Sequence, residues 1–249
     1  MSTNSKKKSH QDGSNKMSKL HYTKKDLIGY HDKNGRLVLP KEEDSEEDAM
    51  IYDKHATTCF VGTPPQYYFS DPFDINLHKN DYERMIDEIY KTIKPIFHKI
   101  HNAGYVARFI TGGRQGFEQL AFQTVERLKE QYNGIENVVY IPFANQDNRW
   151  PETGLFSQTE YQDMLEKADA VYNCNPQIDV ETASIWDLSK AYRICKHMMI
   201  DASSNLIGQY ATNAWRKPYL KGGTEESLRY ARQKHLKMIV KNFIPQNNH

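Results

Sequence analysis

The sequence predicts an α/β fold of three layers, a mostly parallel sheet with helices on both faces. Three features point there. From Thr57 onward, short apolar runs alternate with amphipathic stretches of helical period, and parallel strands need crossover elements of that kind between them. The 249 residues suffice for one large hydrophobic core. Glycine-rich turns stand at two of the places where a strand gives way to a helix, and such folds collect ligands at the carboxyl ends of their strands.

Residues 1–55 read as a flexible charged extension, and residues 56–249 as the folded domain. The extension opens rich in Ser, Asn and Lys, with Lys6, Lys7, Lys8, Lys16 and Lys19, the composition of a solvated tail. Residues 27–39 then fit a hairpin, with Asn34-Gly35 as its turn. An acidic run follows, Glu42-Glu-Asp-Ser-Glu-Glu-Asp48. These opposite charge blocks can attract each other, recruit a protein partner, or serve only solubility.

Within the domain, strands are expected at residues 58–62, 106–111, 138–142, 170–173, 205–210 and 236–240. The first helix is expected over 82–102, with Met85, Ile89, Ile93, Phe97 and Ile100 on one face and Pro95 as a kink. Others are expected over 116–132, 157–168 and 185–200, and a fifth opens at 223–224. The connections should be right-handed crossovers.

Charge and composition exclude several classes. With 33 basic and 32 acidic residues the net charge is +1, which gives no global basic field for nucleic acid. The mean hydropathy of −0.80 reflects the polar extension, and no apolar run approaches the roughly 20 residues of a membrane span. The amino terminus lacks the apolar stretch of a secretory signal. Cys59, Cys174 and Cys195 lie far apart with no Cys-x-x-Cys pair. That spacing argues against a disulfide framework or cysteine zinc site and for a reducing, cytoplasmic setting. The ten histidines have no metal-ligand spacing, so no metal site and no resident cofactor are expected. Cys174 after its strand reads as a buried structural thiol rather than a nucleophile, and Arg193, with His197 one turn later on the same helix, either faces the site or forms a surface or interhelical salt bridge.

The loops after the strands carry the candidate chemistry. After the first strand, Gly62-Thr-Pro-Pro-Gln-Tyr-Tyr-Phe69 fixes a rigid path whose aromatics either stack on a base or cap the core. The second strand runs into Thr111-Gly-Gly-Arg-Gln-Gly-Phe-Glu118. Here Gly112, Gly113 and Gly116 permit close backbone approach, and the helix start favours an anion. Arg114 offers a bidentate charge. Glu118 either complements the helix dipole, accepts from a ribose hydroxyl, or is catalytic. The third strand leads to Gln146, Arg149 and Trp150, with Tyr161 on the next helix. This set could surround a sugar or base; alternatively Arg149 pairs with Asp147 and Trp150 covers core. The last helix opens at Gly222-Gly-Thr-Glu-Glu226. Thr224 fits an N-cap, and Gly222, Gly223 and Thr224 fit a second anion contact.

In order and spacing, four stretches together resemble the YpsA-like branch of the SLOG superfamily, the Rossmann-like group that includes the DprA and LOG proteins. They are Ile110-Thr-Gly-Gly-Arg-Gln-Gly-Phe-Glu-Gln-Leu-Ala121, Ile141-Pro-Phe-Ala-Asn-Gln-Asp-Asn-Arg-Trp150, Glu166-Lys-Ala-Asp-Ala-Val171 and Gly222-Gly-Thr-Glu-Glu-Ser-Leu-Arg-Tyr-Ala231. The resemblance covers about residues 57–241. It implies a Rossmann-like fold, a pocket for a nucleotide or nucleotide derivative, and a homo-oligomer. In LOG-type relatives a glycine-rich helix start holds phosphate while an arginine and a glutamate serve N-glycosidic cleavage. Gly222-Gly223-Thr224-Glu225 is similar to part of that turn, but the LOG form Pro-Gly-Gly-x-Gly-Thr-x-x-Glu is absent.

The leading expectation is therefore binding of an NAD- or ADP-ribose-like ligand, as sensor or sequestering protein. An N-glycoside hydrolase or deoxyribosyltransferase using Glu118 or Glu225 is the enzymatic alternative. The third is a scaffold whose residues 1–55 recruit a partner. The Lys/Asn/Tyr/Ile-rich composition suits an AT-rich bacterial or phage genome.

Overall fold

The computed structural model describes residues 30–31, 37–38, 54–67, 74–211 and 223–243. Eight strands and five α-helices lie among them: β1 Tyr30–His31, β2 Leu37–Val38, β3 Thr57–Gly62, α1 Ile75–Asn102, β4 Ala107–Thr111, α2 Phe117–Lys129, β5 Ile135–Ile141, α3 Gln158–Lys167, β6 Ala170–Asn173, α4 Ile185–Asp201, β7 Asn205–Ala211, α5 Gly223–Gln233 and β8 Lys237–Phe243. β1 and β2 pair antiparallel within the segment that fits a hairpin. Its Asn34-Gly35 turn and both charge blocks lie outside the described residues.

The other six strands form one all-parallel sheet in the order β6-β5-β4-β3-β7-β8. The chain builds outward from β3 through β4, β5 and β6, then returns to the other side of β3 with β7 and β8. The direction of winding thus reverses at β3, which is where an open parallel sheet leaves a crevice outside its carboxyl ends.

Side-chain alternation divides the core between the two faces. Phe60 of β3 packs with Met85, Ile89, Ile93 and Phe97 of α1 and with Leu120 and Val125 of α2. Its neighbours Cys59 and Val61 face Cys195, Met199 and Ile200 of α4 and Leu228 of α5. In β5, Val139 and Ile141 meet α3 and Phe122 of α2, whereas Val138 and Tyr140 join the α4–α5 side. Burial on both faces leaves every residue of β3 and β4 buried, with no alternation of exposed positions.

The boundaries follow local chemistry. Ser157 accepts from the Glu160 amide at the start of α3, and Ser184 and Asp187 form a reciprocal capping box at α4. Pro95 lies within α1, which starts seven residues before the expected position. Among the described residues no helix is long and apolar enough to cross a membrane.

Candidate functional site

β3 ends between two helix starts that lie on opposite faces of the sheet. A Cβ on Gly62 would sit 2.4 Å from Cβ of Phe117, at the start of α2. On the other side, the Thr224 hydroxyl of α5 donates to the Gly62 carbonyl at 3.0 Å. Only glycine admits the Phe117 approach. The expectation of Thr224 as an N-cap is corrected here. Thr224 is the second residue of α5, and its hydroxyl hydrogen goes to the sheet rather than its oxygen to a helix amide.

The turn after β4 packs tightly against its own surroundings. Gly113 has φ +67 and Gly116 φ +89, in the left-handed region where side chains are strained. A Cβ on Gly113 would lie 2.9 Å from Met164 Cε and from Tyr161 Cε2, and one on Gly116 would lie 2.7 Å from Pro65 Cδ. Behind the turn, Gln146 Nε2 donates to the Gly112 carbonyl at 3.2 Å and to the Tyr161 hydroxyl at 2.6 Å. Trp150 stands edge-on to Tyr161 at 5.0 Å and packs on the α3 core. Gln146 and Tyr161 are both buried. These residues act as the wall that shapes the turn. Arg149 is exposed, and Asp147 takes its hydrogen bond from Gln162 Nε2 at 2.8 Å.

The charged centre lies between this turn and α5. Glu118 is 2% exposed. Its Oε2 accepts from the Arg114 amide at 3.3 Å, and a Cβ on Gly112 would lie 2.7 Å from that oxygen. Its Oε1 is buried with no hydrogen-bond partner. Arg114 stacks its guanidinium over the Tyr192 ring of α4, 5.1 Å from the centroid. Facing them is Lys196 of α4, 3% exposed, with Nζ unpartnered. A Cβ on Gly223, the first residue of α5, would lie 3.0 Å from that Nζ. Burial, with the Arg114 charge, pushes the Lys196 ammonium down to about 8 while Glu118 opposes the shift. Two buried ionisable groups with unused hydrogen-bonding capacity thus lie within each other's field near the winding reversal.

Sequence reasoning missed Lys196. The signal that could have found it is its place on α4, four residues after Tyr192 and four before Ile200. A lysine on an apolar stripe is out of place unless it reaches something. The remaining candidates are placed as follows. Glu225 is exposed in the first turn of α5, and Glu226 pairs with His197 at 2.6 Å. His197 of α4 thus forms an interhelical pair with Glu226 of α5. Gly222 and the side chains of Tyr67, Tyr68 and Phe69 lie outside the described residues. Cys174 is half-buried, whereas Cys59 and Cys195 are buried. Burial pushes the Cys59 thiol up to about 12 and the Cys195 thiol well above its usual value. Among the described residues no group of three His, Cys, Asp or Glu is placed to hold a metal.

The model of the YspA SLOG family matches residues 70–243, from α1 to the end of β8. The chain belongs to the YspA SLOG family. Its similarity extends to an SPbeta prophage-derived protein, YoqJ, of Bacillus subtilis (strain 168), 29% identical over 133 residues, which are 52% of this chain and 71% of YoqJ. A UPF0398 protein of Oceanobacillus iheyensis is 32% identical over 98 residues, 39% of this chain and 50% of the relative. Another from Halalkalibacterium halodurans is 36% identical over 63 residues, 25% of this chain and 32% of the relative. YspA SLOG membership agrees with the parallel Rossmann-like sheet and carries a nucleotide-related function in the broad sense.

Proposed function

We propose that this SLOG protein binds a nucleotide or nucleotide-derived ligand of the NAD or ADP-ribose kind, as a sensor or sequestering protein. The observation that carries the reading is the unpartnered, buried Lys196 amine against the start of α5 and within the field of Arg114. A phosphate oxygen there would accept from the ammonium and from the Arg114 fork, and the α5 dipole would favour it. Glu118 Oε1, buried and unused, would accept from a ribose hydroxyl. The Gly112–Gly113 backbone, braced by Gln146, would define one wall. In this reading Gln146, Tyr161 and Trp150 hold the turn in shape rather than touch the sugar.

Calorimetry of the full chain against AMP, ADP-ribose, NAD and adenosine tests the proposal. The phosphorylated compounds should bind, adenosine should bind far more weakly, and Lys196→Met should weaken the former by at least about tenfold, the value of one charge-assisted hydrogen bond. Absence of binding by every member at millimolar concentration would refute it.

Glu118 also favours a second reading, N-glycosidic cleavage of a nucleotide. A carboxylate with one free oxygen, sheltered from water, can steady an oxocarbenium-like transition state. Base release from AMP that falls at least about a hundredfold in Glu118→Gln would support it. Release unchanged in that variant would remove the role.

A further inference from the structure

A second concavity lies at the opposite, amino-terminal edge of the sheet. It encloses roughly 710 Å³ at the starts of β3, β7 and β8 and the end of α1. Its floor is apolar, with Ile96, Leu206 and Ile239, and its rim is basic, with Lys54, Lys99 and Lys237. Ile239 is 40% exposed. Among the described residues no Asp or Glu lines the groove. Among the described residues no carboxylate pairs with Lys54, Lys99 or Lys237, whereas Lys234 nearby already holds Asp201 at 2.8 Å.

We infer that this groove is the docking site for the chain's own residues 42–53. That segment reads Glu-Glu-Asp-Ser-Glu-Glu-Asp-Ala-Met-Ile-Tyr-Asp, six carboxylates in the first seven residues and then four consecutive non-charged ones with apolar side chains. It is complementary in kind to a basic rim above an apolar floor. It joins Lys54, itself a lining residue, so its apolar part begins two residues from the groove. Five to twelve residues of chain reach up to about 40 Å, more than the site requires.

The other segments outside the described residues fit less well. Residues 68–73, 212–222 and 244–249 adjoin the carboxyl side of the sheet, about 20 Å away along strands of this length. Residues 1–29 carry the lysine block and would be repelled by the rim. Occupation by residues 42–53 leaves the carboxyl-edge site open, so the inference stands independently of the nucleotide reading.

Hydrogen–deuterium exchange on the full chain tests it. At low salt, amides of residues 49–53 should exchange at least about tenfold more slowly than in a free peptide of that sequence. Raising salt should speed them, since exposed charge pairs are screened. Lys99→Glu with Lys237→Glu should abolish the protection, and adding Glu46→Lys with Glu47→Lys should restore it. The Lys99 and Lys237 side chains are exposed, and the wild-type salt series needs no variant at all. Exchange at the peptide rate, protection indifferent to charge reversal, or protection lost on dilution (a second copy as occupant) would overturn the inference.

Discussion

Replacing Lys196 by Met separates a strained, ligand-seeking amine from an ordinary structural one. In the folded chain the ammonium is held near 8 against its usual 10.5. The unfolded state therefore binds more protons between those values, and stability rises with pH across that window. Below pH 8 the buried charge costs about 3 kcal/mol, a cost fully relieved only above 10.5. Between pH 7 and pH 9 the relief is about 1 kcal/mol. Urea unfolding of wild type and Lys196→Met at both pH values measures it, because other titrating groups are common to the two proteins and cancel. Wild type should gain about 1 kcal/mol on the variant from pH 7 to 9. Inorganic phosphate at high concentration should flatten that gain by keeping the amine charged. A stability gap identical at the two pH values would refute the reasoning, because it would mean the amine already has a satisfying partner.

Two further predictions concern the frame. Gly113→Ala should destabilise by about 1–3 kcal/mol, since a Cβ at φ +67 would stand 2.9 Å from Met164 and Tyr161; chemical denaturation reads it, and a neutral result would contradict the packing described. Thiol titration of the native chain at pH 8 should label Cys174 first, with Cys59 and Cys195 reacting only on unfolding, because their thiols are buried and shifted upward; three equally fast thiols would contradict that order.

The periodic elements were legible because their signals are local. The six sheet strands and five helices fall where apolar runs and amphipathic stretches place them, and Ser157 and Ser184 mark two helix starts by a hydrogen bond within four residues. The start of α1 was less legible, since its first turn before Tyr82 carries mixed residues with no apolar stripe. The glycine turn at 112–116 was legible as a special backbone, but its reason was not. Glycine is needed there because Tyr161, Met164, Glu118 and Pro65 crowd it, and those contacts join residues up to about fifty positions apart.

The sequence by itself determined the alternation of strand and helix, and with it the parallel sheet and the edge at which a site can form. The tertiary structure alone decided that the winding reverses at β3, that Gly62 is clasped by α2 and α5, and that the buried Lys196 amine lies against the start of α5 within the field of Arg114 and Glu118. Strand order and the aim of a long side chain are set by which distant surfaces exclude water together. No local propensity encodes that.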